Sequence, residues 1–99
     1  MVIRTTQDRI DAASAIQFKD RMRSACQGGA GRVVLDLSGV GFVDSSGLGA
    51  IVAVRRQLGD AQVLELAGLT PPVARVFRLT RMDTVFVLHD GVGDALRTV

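Results

Sequence analysis

Asp44, Ser45 and Ser46 stand in succession and are followed by Gly47-Leu48-Gly49. A carboxylate and two hydroxyls in that order suit the opening of a helix, where the first amide hydrogens lack intrahelical acceptors and the helix dipole favours negative charge. A serine there is also a good phosphoacceptor: a phosphate adds about −1.5 to −2 charge at a place already suited to anions. Gly47 and Gly49 strip the opening turn of bulky side chains, so the cleft of another protein could close on Ser45. Glycine in a helix interior is less favourable than alanine by roughly 1 kcal/mol, which suggests that something is gained by the missing side chains. On its own, Asp-Ser-Ser-Gly is an ordinary helix cap. Its meaning depends on the elements that hold it.

The hydrophobic period alternates between two and about 3.6 along the chain. Val2 to Thr6 reads as a short strand. Asp11 is placed to cap a helix running to about Cys26, with Ala15, Phe18, Met22 and Cys26 on one face and Gly28-Gly29 as its stop. Val33, Val34 and Leu35 in the segment Arg32 to Leu37 predict a central strand covered on both faces. A loop from Ser38 to Val43 then leads to a second helix, starting at Asp44 or Ser45 and turning Leu48, Ile51, Val52 and Leu58 inward. Gln62 to Ala67 is the next strand. Thr70 caps a third helix with Pro71 and Pro72 in its first turn, where a missing amide hydrogen is harmless, and with Val73, Val76 and Phe77 buried. Thr84 to Leu88 is a final strand, and Asp90 opens a terminal helix carrying Val92, Ala95, Leu96 and Val99. Strands and helices in alternation predict one α/β domain over residues 1–99, with a mostly parallel sheet and crossover helices.

Composition narrows the function. Twelve basic residues oppose ten acidic ones, for a net charge of only +2. Arg55, Arg56, Arg75, Arg78 and Arg81 form the one basic concentration, and the chain has no tyrosine or tryptophan to stack on bases, so nucleic acid is not an expected ligand. No apolar run approaches the roughly 18 residues of a spanning helix, and no secretory leader is recognisable; the expected setting is the cytoplasm, without membrane insertion. Cys26, the single cysteine, falls on the inner face of its helix and reads as inert core. His89, the single histidine, reads as a polar residue ending the last strand. With no Gly-x-Ser-x-Gly around Ser45, a hydrolase is not expected. The glycine-rich Gln27 to Arg32 lacks the Gly-Lys-Ser/Thr of a phosphate loop, and no cofactor or metal is expected.

Val34-Leu35-Asp36-Leu37 followed by Phe42-Val43-Asp44-Ser45-Ser46-Gly47-Leu48-Gly49 resembles, without a gap, the signature of the STAS family, specifically its bacterial anti-sigma-factor antagonists. Ile10-Asp11-Ala12-Ala13 resembles the opening of that family's first helix, and Leu69 to Phe77 its third. The resemblance spans about residues 10 to 90. It implies a binding switch and not an enzyme. Ser45 matches the phosphorylated serine, and Asp44 and Ser46, which flank it, match partner-binding positions together with Gly47, Leu48, Gly49 and Asp11. It also implies an anti-sigma factor that is a GHKL-type serine kinase, bound while Ser45 is unmodified, and a PP2C-type phosphatase that restores that state. The alternative within the same family is a subunit of a membrane transport assembly, of the lipid ABC type, or a scaffold of a stress complex. One departure concerns the N-terminus: members usually carry two strands ahead of the first helix, whereas the nine residues before Ile10 suffice for one. The N-terminal strand region is thus expected to be shortened, with an exposed sheet edge open to homodimer formation. A second departure is Arg9, where the family has glycine.

Overall fold

Consecutive β-branched and leucine residues form the centre of the fold. Strands β3 (Gly31–Asp36) and β5 (Gln62–Ala67) lie side by side in parallel, with Val33 beside Leu64 and Leu35 beside Leu66. The short β1 (Val2–Arg4) flanks β3, and β6 (Val87–His89) flanks β5, so the parallel sheet has the order β1-β3-β5-β6. A second, two-residue parallel pair joins β2 (Arg9–Ile10) to β4 (Phe42–Val43). The structure, a computed structural model, describes residues 1–97; Val99 lies outside them.

Helices α1 (Ala15–Cys26), α2 (Ser45–Leu58) and α3 (Pro71–Leu79) supply Phe18, Met22, Cys26, Ala50, Ile51, Val54, Val73 and Phe77 to one core, closed by Val33, Leu35, Leu64 and Leu66 of the sheet. Phe77 meets Phe86 edge to face at 5.9 Å, a favoured aromatic geometry. The sheet's other face packs Val34 and Ala67 against Ala95 of α4 (Val92–Arg97). The single α/β domain with a mostly parallel sheet is as expected.

Several boundaries differ from the sequence reading. The N-terminal segment holds two strands, of three and two residues, where one was expected. The Ser38 to Val43 loop ends in β4. A two-residue strand carries no period, so neither β2 nor β4 had a pattern to announce it. Helix α1 begins at Ala15 and not at Asp11, because residues 11–14 form a turn. Thr84 closes a 3₁₀ turn (Met82–Thr84), and the last strand starts only at Val87. Thr70 does occupy the cap position of α3, but its hydroxyl donates to the Val40 carbonyl at 2.7 Å and tethers the helix start to the preceding loop. Val76, expected to be buried, is half-buried.

Candidate functional site at the start of helix α2

The β2–β4 pair aims the start of α2. The Asp44 amide donates to the Ile10 carbonyl at 3.3 Å, so the last residue before α2 is fixed to the end of β2. Asp44 then caps the helix: its Oδ1 accepts from the Gly47 amide at 2.8 Å, and its carbonyl accepts from the Leu48 amide at 2.9 Å. Among the described residues the amides of Ser45 and Ser46 find no acceptor and remain as the first turn's unfilled donors, and both serine side chains are exposed.

The two glycines of this turn do different jobs. A Cβ on Gly47 would lie 1.8 Å from the Ile10 carbonyl oxygen, closer than any packing permits. The bare backbone at Gly47 is therefore what lets α2 seat directly on β2. Gly47 is buried, and its missing side chain serves internal packing, in place of the expected access for a partner. Gly49, by contrast, is exposed, with nothing within 4 Å of a Cβ placed there. Leu48 is half-buried against the main core.

Asp11 follows Ile10 and so lies beside the same junction. Its Oδ1 accepts from the amides of Ala13 and Ser14 and from the Ser14 hydroxyl, each at 3.1 Å, and its Oδ2 accepts from Arg9 Nε at 2.8 Å. Partial burial raises the carboxyl pKa, but the bonds from Ser14 and Arg9 outweigh it and hold Asp11 below the usual aspartate range. Asp11 thus shapes the turn ahead of α1 and does not cap the helix itself. Arg9, at the family's glycine position, lays its guanidinium over the Phe42 ring at 4.7 Å, a cation–π contact. Phe42 is 45% exposed. The chain thus brings Asp11, Arg9, Phe42, Asp44, Ser45 and Ser46 to one end of the sheet, joined through Ile10.

The remaining chemically capable side chains are committed elsewhere. Cys26 is buried, and burial pushes its thiol above the ordinary range, which leaves little reactive thiolate. His89 ends β6, as expected, and its Nε2 lies 2.6 Å from Glu65 Oε1. Arg32 grips the same carboxylate with two bonds of 2.8 Å and donates to the Ala95 carbonyl of α4 at 2.7 Å. The paired hydrogen bonds from Arg32 are the main reason the Glu65 pKa drops from 4.5 to about 2; burial opposes that drop and His89 adds to it. This network escaped the sequence reading, although a glutamate inside the apolar strand Gln62 to Ala67 was its visible signal: a carboxylate there needs a partner from a neighbouring strand. Among the described residues no cluster of three or more His, Cys, Asp or Glu could hold a metal, and no helix is long and apolar enough to cross a membrane.

Comparison with known proteins agrees with this architecture. The STAS domain family matches residues 1–95. BtrV of Bordetella bronchiseptica, provisionally named an anti-sigma factor antagonist, is 32% identical over 87 residues, covering 87% of this chain and 75% of its own. The crystal structure of an anti-sigma factor antagonist from Mycobacterium paratuberculosis superposes with a TM-score of 0.86 at 28% identity, over 99% of this chain and 83% of that one. The phosphorylated form of the Bacillus cell fate determinant SpoIIAA shares the fold, with a TM-score of 0.66 at 21% identity over 97% of this chain and 86% of that one. The chain belongs to the STAS domain family, and within it to the anti-sigma factor antagonists.

Proposed function

We propose that this protein binds an anti-sigma factor through the surface around Ser45 and that phosphorylation of Ser45 ends the binding. One observation carries the reading: Ser45 is the exposed first residue of a helix whose cap, Asp44, is already satisfied internally. Its hydroxyl is therefore not needed for capping and is accessible to a kinase. A relative of the same fold has been described in a phosphorylated form, and the first-turn amides of Ser45 and Ser46 suit an added anion.

The switch works by local electrostatics. Unmodified, Ser45, Ser46 and Gly49 present a small polar surface that packs against the partner. A phosphate there places a bulky charge of about −1.5 to −2 in a contact that excludes water, where desolvation opposes it. The backbone has no need to move, because cap and sheet junction are made by Asp44 and Ile10. Ser45 is a substrate residue in this scheme. The partner is an anti-sigma factor that is also a GHKL-type serine kinase, and a PP2C-type phosphatase resets the switch in the cytoplasm. The test is intact-mass and phosphosite analysis after incubation with ATP and each such kinase of the same organism. A single phosphate on Ser45, absent from Ser45→Ala, is the expected result. No phosphate, together with co-purification with a transporter ATPase, refutes the switch in favour of the transport role.

A further inference from the structure

Between β4 and α3 runs an open groove of about 570 Å³, walled by Phe42, Pro71, Pro72 and Val76 and edged by Arg75 and Arg78. Its walls are almost wholly apolar, and Phe42, Pro71 and Pro72 are exposed. The groove's floor is Val43, which belongs to the main core together with Val73 and Phe77, the inward residues of α3; the exposed walls lie above that core. Arg75 and Arg78 form no ion pair among the described residues, and α3 contains no acid with which to pair them. Phe42, which walls the groove, also carries the Arg9 guanidinium over its ring, and Arg9 binds Asp11, so the groove adjoins the junction described above.

We propose that this groove receives an acidic segment of the partner protein, with one apolar side chain between Phe42 and Pro72 and carboxylates on Arg75 and Arg78. The inference rests on the reading of Ser45 as the centre of a partner interface and adds the chemistry of that partner. Unpaired guanidiniums beside an apolar trough suit a carboxylate-flanked apolar side chain. A second copy of this chain does not fit, because pairing the same faces sets arginine against arginine. Nucleic acid fits less well, because the trough offers a single ring for stacking. The arrangement also gives phosphorylation a second mode of action: a dianion at Ser45 adds negative charge to the face that the acidic segment approaches. The penalty from phosphorylation is then partly long-range and shrinks as salt shortens the screening length from about 10 Å at 0.1 M to about 3 Å at 1 M.

The test has two arms on the full chain. The first titrates the isotope-labelled protein with a synthetic hexapeptide holding one leucine between aspartates and glutamates, and with a lysine-flanked version of it. The acidic peptide is expected to shift the amide signals of Phe42, Arg75, Val76 and Arg78, the basic one to leave them unmoved, and Arg75→Glu/Arg78→Glu to abolish the response while the rest of the spectrum stays native. Absence of those shifts, or equal shifts from the basic peptide or from a single-stranded oligonucleotide, overturns the groove. The second arm measures the Kd for the anti-sigma kinase, where the double charge reversal is expected to weaken binding at least tenfold. Unchanged affinity in the double variant overturns the groove and leaves the Ser45 reading standing. A kinase that fails to bind the wild type overturns the Ser45 reading, and the peptide titration then decides the groove by itself.

Discussion

The protein carries two charged clusters with opposite characters. On the α4 face, Glu65 is buried, held twice by Arg32 and once by His89, and Arg32 continues to the Ala95 carbonyl. Both oxygens of that carboxylate are taken. At the start of α2, Asp44 satisfies one amide and leaves two exposed hydroxyls beside two unfilled donors. A closed network fixes a fold and responds to little, whereas an open one can change its charge without unfolding anything. On the function proposed above, the difference assigns structure to one side of the sheet and exchange to the end of the other.

Breaking the closed cluster should produce the largest effect on stability. Glu65→Gln leaves the Arg32 guanidinium against a neutral amide and is expected to destabilise by about 3 kcal/mol, read in urea unfolding. Because the folded-state pKa of Glu65 lies below its ordinary value of 4.5, at about 2, this stability is complete above 4.5 and lost as pH falls through about 2. The pKa difference corresponds to on the order of 3 kcal/mol. Acid titration of the unfolding free energy should therefore slope downward in that window for the wild type and more shallowly for Glu65→Gln. An equal slope in both would remove Glu65 from the account.

The open cluster should respond more weakly, and with opposite signs at its two glycines. Gly47→Ala drives a methyl into the Ile10 carbonyl and is expected to destabilise by about 2 kcal/mol, despite the better helix propensity of alanine. Asp44→Ala removes the cap at a loss of about 1 kcal/mol. Gly49→Ala meets open space and is expected to stabilise by roughly 0.5–1 kcal/mol, while obstructing approach to Ser45. A gain in melting temperature with a loss of partner affinity in Gly49→Ala would sharpen the division between structure and exchange within a single turn. Equal destabilisation by both alanines would erase it.

Legibility in the sequence followed the same division. The central strands, the three core helices and the α2 start were readable because Val33, Val34 and Leu35, the Phe18-Met22-Cys26 spacing and the Asp44 cap are local patterns. Asp11 was placed at the right junction but credited with the wrong element, because an Asx turn and a helix cap use the same carboxylate. Gly47 shows the limit most clearly. Its type was visible, yet its reason is a carbonyl 37 positions earlier, brought near by a strand pair too short to have a period. The Arg32–Glu65–His89 network was hidden likewise, since register between β3, β5 and β6 places those side chains together. Ser45 was legible as a candidate because its cap, Asp44, is its immediate neighbour, while the anchoring of that cap to Ile10 was not.

The most direct test of the central claim is the affinity of the cognate anti-sigma factor for this protein carrying phosphoserine at position 45, compared with the unmodified chain at the same salt concentration. The account predicts a loss of at least a hundredfold, equivalent to about 2.7 kcal/mol, with an unchanged far-UV spectrum. Equal affinities of the two forms would contradict it.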